Sequence, residues 1–477
     1  MPMAPTPTTS SPRVSIGVTT EAERSLRVLL ISTYELGRQP FGLASPAAWL
    51  RRQHHQVQCA DLAVGELPES AAAQADVIGF YLPMHTATRL ALPLIRRVRA
   101  LNPSAHICAF GLYAAVNEPH LRELGVETLL AGEFETGLVS LCERLAARDT
   151  SEAPVAGHTT TSVDKQQFLL PDRSDLPELH EYAQLRVGDE TRVVGYVEAS
   201  RGCKHLCRHC PVVPVYGGRF RIVPHDIVIE DIRQQIEAGA RHITFGDPDF
   251  FNGITHAKAV VEELHAQFPD ITYDATIKIE HLLKHRDHLP LLRDTGCAFV
   301  TSAVESVDDD LLLILDKGHT REDFIRAAKL CDDVGLVLSP TFIPFTPWTT
   351  PASYLELLQL LVELDLVDQV APVQLAIRLL VPQGSLLLEL EQVRALLQPL
   401  EPEKLGYPWV HVDPEVDALF EGVSGAVRED QGIPARRQTF AAIWSLAHEA
   451  AGRAAPPYAN KLPATATIPY LTEPWYC

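Results

Sequence analysis

Apolar runs of strand length alternate with amphipathic helical stretches along most of this chain. LRVLLIST (26–33) is a continuous apolar run, followed by a helical stretch around Ala44 to Gln53 and a second strand near Gln56 to Ala63. ADVIGFYL, the helical TATRLALPLIRRVRALN, the strand HICAFG and the helix TGLVSLCERLAAR continue the rhythm. Such alternation predicts a parallel sheet covered by helices on both faces, a doubly wound domain over residues 26–149. The Pro-, Thr- and Ser-rich residues 1–25 read as a disordered leader, and the polar TSEAPVAGHTTTSVDK opens a linker over 150–190. The rhythm then restarts. Strands are expected at Val193–Ser200, His242–Asp247, Thr272–Ile277, Ala298–Ala303, Val337–Ile343 and Val373–Leu380, a partial (β/α)6 barrel over 191–383 with its chemistry at the C-terminal strand ends. Residues 384–477 read as a mainly helical extension that closes in PYLTEPWYC. The fold class is α/β throughout.

Composition narrows the function. With 41 basic and 61 acidic residues the net charge is −20, so the surface repels nucleic acid and anionic lipid. No run of eighteen apolar residues offers a membrane span, and no apolar leader segment offers a secretion signal, which together predict a cytoplasmic protein. Nine cysteines, an odd number scattered over 477 residues, argue against a disulfide framework. Cys59, Cys108, Cys142, Cys297 and Cys331 fall in expected strands or helices and read as small buried apolar residues.

Three others are different. In EASRGCKHLCRHCPVVPVYGG, Cys203, Cys207 and Cys210 form C-x-x-x-C-x-x-C just after the first barrel strand, with Gly202 letting the loop turn. At this cysteine frequency such spacing arises by chance in roughly 0.3% of chains. Three thiolates can bind three irons of a cubane, leaving one iron open for an external chelate. Zinc is the alternative metal, with His205 or His209 as a fourth ligand; the rival to an enzyme is a non-catalytic iron-sulfur or zinc protein that relays electrons or scaffolds a partner. Two histidines inside one short loop close a tetrahedron poorly.

Through C203-K-H-L-C207-R-H-C210 after the first strand of a βα array, the chain resembles the radical SAM superfamily. The resemblance implies a [4Fe-4S] cluster and S-adenosylmethionine (SAM), cleaved by one electron from a flavodoxin or ferredoxin to a 5′-deoxyadenosyl radical, with an unknown small-molecule or peptide substrate. It implies cofactor contacts for His209, where relatives carry an aromatic beside the adenine. Gly246 and Asp247 stand where relatives have a Gly-Gly-Glu-like turn, and Glu305 and Ser306 at the fourth strand end. Lys278 and Arg378 are candidates for the methionyl carboxylate. The basic island Arg201, Lys204, Arg208, Arg219 and Arg221 is expected to stabilise the reduced cluster, with Arg201 or Lys204 receiving the carboxylate of SAM.

The front domain resembles the cobalamin-binding domain that precedes some radical SAM barrels, through LRVLLIST, ADVIGFY, the turn at Gly111 and Gly132, Glu133 and Glu135 of AGEFETGLVSL. Two departures stand out: no His lies between Thr33 and Gln53, and Phe110 precedes Gly111 where a second glycine is usual. Cobalamin binding, with methyl transfer as its outcome, and an empty lid or docking fold are both open. FIPFTPWTTP and YLTEPWYC resemble the CUAEP/CCAEP-tail radical SAM family, which implies a redox tail at Cys477 and a selenocysteine codon just beyond it.

Overall fold

The computed structural model describes residues 24–147, 158–428, 433–458 and 468–472. Residues 1–23 of the leader and the start of the linker lie outside them, as does Cys477.

The front sheet is wholly parallel. Its strands are β1 (Arg27–Ser32), β2 (Gln56–Asp61), β3 (Val77–Tyr81), β4 (His106–Phe110), β5 (Thr128–Gly132) and β6 (His158–Ser162), in the order β2-β1-β3-β4-β5-β6. The strand order reverses between β1 and β3, the place where doubly wound sheets carry ligands. Side chains of the sheet point alternately into two apolar layers: Leu29, Ile31, Ile78 and Phe80 into one, Leu30, Val77, Cys108 and Phe110 into the other. The strand β6 corrects one boundary, since His158–Ser162 pairs in register with Thr128–Gly132 instead of belonging to the linker. HTTTS is short of apolar residues, and an edge strand with Thr159, Thr160 and Ser162 only half-buried and Thr161 exposed needs few.

The second sheet holds β7 (Gln184–Val187), β8 (Glu190–Val197), β11 (His242–Phe245), β12 (Thr272–Thr276), β13 (Cys297–Glu305), β14 (Leu338–Phe342) and β15 (Tyr470–Leu471) in the order β14-β13-β12-β11-β8-β7-β15. Between β8 and β11, a two-stranded ribbon of β9 (Ser200–Gly202) and β10 (Phe220–Ile222) closes the cysteine loop. The strands β8, β11, β12, β13 and β14 are parallel, as the sequence predicts. The sixth barrel strand is not there. Val373–Leu380 begins in a short 3-10 turn, Pro372–Leu375, and contributes only a single parallel bridge between Phe345 and Arg378. Pro372 supplies no N–H for a ladder and favours the first turn of a helix.

The helices Arg321–Val334 and Pro351–Glu363 start at capping boxes on Thr320 and Thr350, where the side chain accepts from the third backbone N–H. They cover the outer face of the half-barrel with Phe324, Ala327, Leu355 and Leu358 buried. The extension supplies the helices Pro414–Arg428 and Ile433–Ala450, the second anchored by Arg437 on the buried Asp368 carboxylate. No helix among the described residues is long and apolar enough to cross a membrane.

Candidate functional site

One carboxyl group and two glycines shape the entry to the cysteine loop. Asp247, just past β11, accepts from the Ala199 backbone N–H (3.0 Å) and the Ser200 hydroxyl, tying the exit of β8 to its neighbour. Burial pushes its carboxyl up to about 7, against those two donors. Gly246 fits because any Cβ there would lie 2.0 Å from Tyr196 Oη. Gly202 has φ +75°, and a Cβ on it would strike the Tyr216 ring at 2.4 Å. The chain therefore turns sharply into Cys203.

Cys203 and Cys207 are buried and Cys210 is nearly so, packed with Val212, Val215 and Tyr216 against Ala131 of the front domain. Burial raises the Cys203 thiol, against the His205 backbone N–H and the Asn252 amide, which favour its thiolate. Burial likewise pushes Cys210 up to about 12, opposed by the Val212 N–H and by Lys317. Three neighbouring buried sulfurs, supplied with N–H donors and cations, have the character of iron-cluster ligands. Loading them with metal must therefore release protons.

The cations are lysines. Lys278 Nζ is 3.8 Å from Cys207 Sγ and 3.7 Å from Glu280. Lys317 Nζ is 3.2 Å from Glu305 Oε1, which His209 Nε2 also reaches at 3.0 Å. Burial alone would raise the Glu305 carboxyl, yet Lys317 and His209 hold it down at about 2. Its backbone sits at φ +68°, beside a register shift between β13 and β14 that turns the side chain toward the cysteine loop. Ser306 accepts from the Asp308 N–H and lines, with Glu305, Arg321 and Trp348, a cavity of about 270 Å³.

Among the residues singled out from sequence, His209 and Glu305 thus come into contact, and Lys278 reaches the Cys207 thiol. Others are placed differently. The Arg378 guanidinium is engaged by Asp417 (2.8 Å), the Trp409 carbonyl (3.0 Å) and the face of the Trp409 ring, contacts that fasten the extension to the barrel. Arg201 is buried among Glu133, Glu135 and Glu198, and Lys204 lies over Phe220 and donates to the Asn252 carbonyl. Neither is free to receive a carboxylate. The zinc alternative loses both histidines as well, since His209 binds Glu305 and His205 faces Asp249. Sequence reasoning missed Lys317, whose one signal was its place in DKGHT beyond the helix that follows β13. The five other cysteines among the described residues, Cys59, Cys108, Cys142, Cys297 and Cys331, are buried and unpaired, as expected.

Residues 197–361 match the Radical SAM superfamily, so this stretch is a radical SAM domain, for which a [4Fe-4S] cluster and SAM are implied. The chain is 24% identical over 336 residues to hopanoid C-3 methylase of Methylococcus capsulatus, covering 65% of this chain and 63% of that protein, just under two thirds of its length. It is 24% identical over 328 residues to a putative methylthiotransferase of Methanocaldococcus jannaschii, covering 64% of this chain and 69% of that one. The cobalamin-dependent radical enzyme OxsB, solved with aqua-cobalamin and SAM, superposes with TM-score 0.66 at 16% identity, over 87% of this chain and 70% of that one. TsrM of Kitasatospora setae, solved with cobalamin and a [4Fe-4S] cluster, gives TM-score 0.56 at 16% identity, over 72% and 74%. The α/β architecture, a doubly wound domain ahead of a half-barrel and a helical extension, is theirs too.

Proposed function

We propose that the chain is a radical SAM enzyme in which Cys203, Cys207 and Cys210 hold a [4Fe-4S] cluster. The observation that carries this reading is the buried thiol trio at the C-terminal ends of parallel strands, with Lys278 and the Lys317–Glu305–His209 group beside it. When bound, cluster and SAM supply a one-electron cleavage that delivers a 5′-deoxyadenosyl radical. The protein's part is electrostatic and steric. Lys278 and Lys317 offset the negative charge that gathers on the thiolates. Glu305, locked as a carboxylate, is an acceptor at the rim of the cavity, and His209 carries an imidazole plane next to Cys210. Substrate enters through the cavity lined by Ser306, Arg321 and Trp348. Electrons come from a flavodoxin or ferredoxin in a reducing cytosol. The decisive experiment is anaerobic reconstitution followed by SAM and dithionite: formation of 5′-deoxyadenosine that Cys207→Ser abolishes supports the reading, and a protein lacking a cubane signal ends it.

Cobalamin-dependent methyl transfer is the second reading. It is favoured by the buried polar atoms Ser32 Oγ, Glu35 Oε2 and Arg38 Nε, which have no hydrogen-bond partner and lie on the last residue of β1 and the turn that follows it, at the switch point of the front sheet. Burial pushes the Glu35 carboxyl well above its ordinary range, so it stands ready to donate as well as accept. Hydroxocobalamin added to the purified protein decides it: corrin absorbance that stays through gel filtration supports methyl transfer, and its loss removes that reading alone.

A further inference from the structure

One cluster of side chains beside the cysteine loop has no role in either reading. His205 comes from the loop between Cys203 and Cys207, Asp249 from the turn after β11, and His281 from the short helix Ile279–Lys284 after β12. Their ligand atoms all lie within 4.8 Å of one another. The His281 Nδ1 to Asp249 Oδ2 distance is 2.6 Å and the His205 Nε2 to Asp249 Oδ2 distance is 3.3 Å. Even so, all three atoms are buried without a hydrogen bond of acceptable geometry. The Asp249 side chain is wholly buried, so an oxygen without a well-aimed donor is unfavourable there unless something else binds it. Three donors that approach closely, yet do not aim at one another, are arranged to aim at a common point.

We propose that His205, Asp249 and His281 form a second metal site, for a divalent first-row transition ion. Two imidazoles and one carboxylate suit Zn(II) or Fe(II) and leave coordination positions for water or an oxygen ligand. An ion about 2.0–2.2 Å from each ligand needs ligand atoms roughly 3.3 Å apart. The His205–Asp249 pair already has that spacing, and a small rotation of the carboxylate brings His281 to it. Two further groups tune the site. Glu280 Oε2 is 3.6 Å from His205 Nδ1, a nearby carboxylate that favours the tautomer presenting Nε2 inward without bonding it directly. The backbone N–H of Lys278 reaches the other Asp249 oxygen at 3.4 Å and orients the carboxylate. The Lys278 ammonium leans toward Cys207 and Glu280, so its charge is shared with those anions. Because His205 lies inside the cysteine loop, an ion here would also brace the loop that carries Cys203 and Cys207.

The site stands independently of SAM chemistry, and so does its test. The full chain is prepared anaerobically with its cluster, and its metal content is measured as isolated and after exposure to Zn(II) alone followed by gel filtration. The expected result is one equivalent of zinc, or one iron beyond the cluster's four seen as a separate high-spin ferrous signal by Mössbauer spectroscopy; which of the two appears names the ion. His281→Ala and Asp249→Asn are expected to lose that equivalent while keeping the cubane absorbance. Wild-type protein that holds only cluster iron overturns the proposal and makes the triad a clamp on the loop, as does full retention of the extra ion in both variants. Should either variant fail to fold, Co(II) titration of Cys203→Ser/Cys207→Ser/Cys210→Ser protein decides. Visible bands of nitrogen and oxygen ligation without sulfur charge transfer support the site, and no bands overturn it.

Discussion

Arg201 Nη2 lies 2.8 Å from Glu135 Oε1, and the two residues belong to different domains. The same guanidinium meets Glu133 at 3.3 Å and Glu198 at 2.7 Å, and lies over the rings of Phe41, Phe134 and Phe168. Two residues later the chain reaches Cys203. The front domain is thus wired directly to the root of the cysteine loop, through a cation with almost no exposure to water. Removing it strands three carboxylates in the interior, a change that costs about 3–5 kcal/mol for a buried pair.

Arg201→Met should therefore lower the urea midpoint markedly at pH 8, and the loss should shrink toward pH 5. The sign follows from burial. Without the arginine, buried glutamates titrate above their unfolded value, so their penalty is absent when both states are protonated and grows as pH rises. Burial already raises the Glu133 and Glu198 carboxyls in the native protein, while Arg201 keeps Glu135 low. A destabilisation equal at both pH values would show that the three carboxylates find water or new partners.

Glu305→Gln tests the group beside the thiols. The amide keeps the shape and loses the charge that pairs Lys317 and His209. Cluster absorbance should be retained, since no thiol is touched, while 5′-deoxyadenosine formation falls by about tenfold or more. The buried Lys317 ammonium is then uncompensated, so Glu305→Gln/Lys317→Met should be more stable than the single variant. Equal rates of SAM cleavage in wild type and Glu305→Gln would remove Glu305 from the machinery.

The parts legible in the sequence are those encoded locally. Strand runs, helix faces and the C-x-x-x-C-x-x-C spacing depend on neighbours within a few residues, and β8, β11, β12, β13 and β14 appear where the pattern puts them. Partners brought together by the fold were not legible. Lys317 and Glu305 are twelve residues apart around a helix, and His205, Asp249 and His281 come from a loop, a turn and a short helix far apart in the chain. Glu133 and Glu135 look like part of a cofactor turn in AGEFETGL, because a chain read alone does not show that Arg201 lands on them. The same blindness made Arg378 a candidate for the methionyl carboxylate, when Trp409 and Asp417 claim it from thirty-one and thirty-nine residues downstream.

Gly246→Ala tests how tightly the strand end is packed. A Cβ placed there meets Tyr196 Oη at 2.0 Å and the ring carbon beneath it at 2.2 Å, so the ring has to move. Tyr196 is buried and its carbonyl is held by Arg173 and Gln235. The clash should cost about 1–3 kcal/mol in chemical unfolding, and displacement of Asp247 should loosen the Ala199–Ser200 anchor, reducing cluster occupancy. Unchanged stability and full iron content in the variant would mean the tyrosine ring has room the packing does not show.

Asp61 offers a pH test remote from the thiols. Burial raises its carboxyl to about 6, against the Ala63 backbone N–H and the Tyr182 hydroxyl that donate to it. The folded value lies above the unfolded 3.8, so the folded state holds its proton more tightly. Below about pH 4 both states are protonated and Asp61 has no effect. Between there and about pH 6 stability falls as pH rises, and above pH 6 the ionised group imposes a constant penalty on the order of 2–3 kcal/mol. Asp61→Asn keeps an acceptor for Tyr182 without the charge, so it should be more stable than wild type at pH 8 and indistinguishable near pH 4, with the difference opening across that window. Urea midpoints at pH 4, 5, 6 and 8 for the two proteins measure it. A parallel pair of curves would mean that water or Tyr182 solvates the carboxylate fully, and that its burial carries no electrostatic cost.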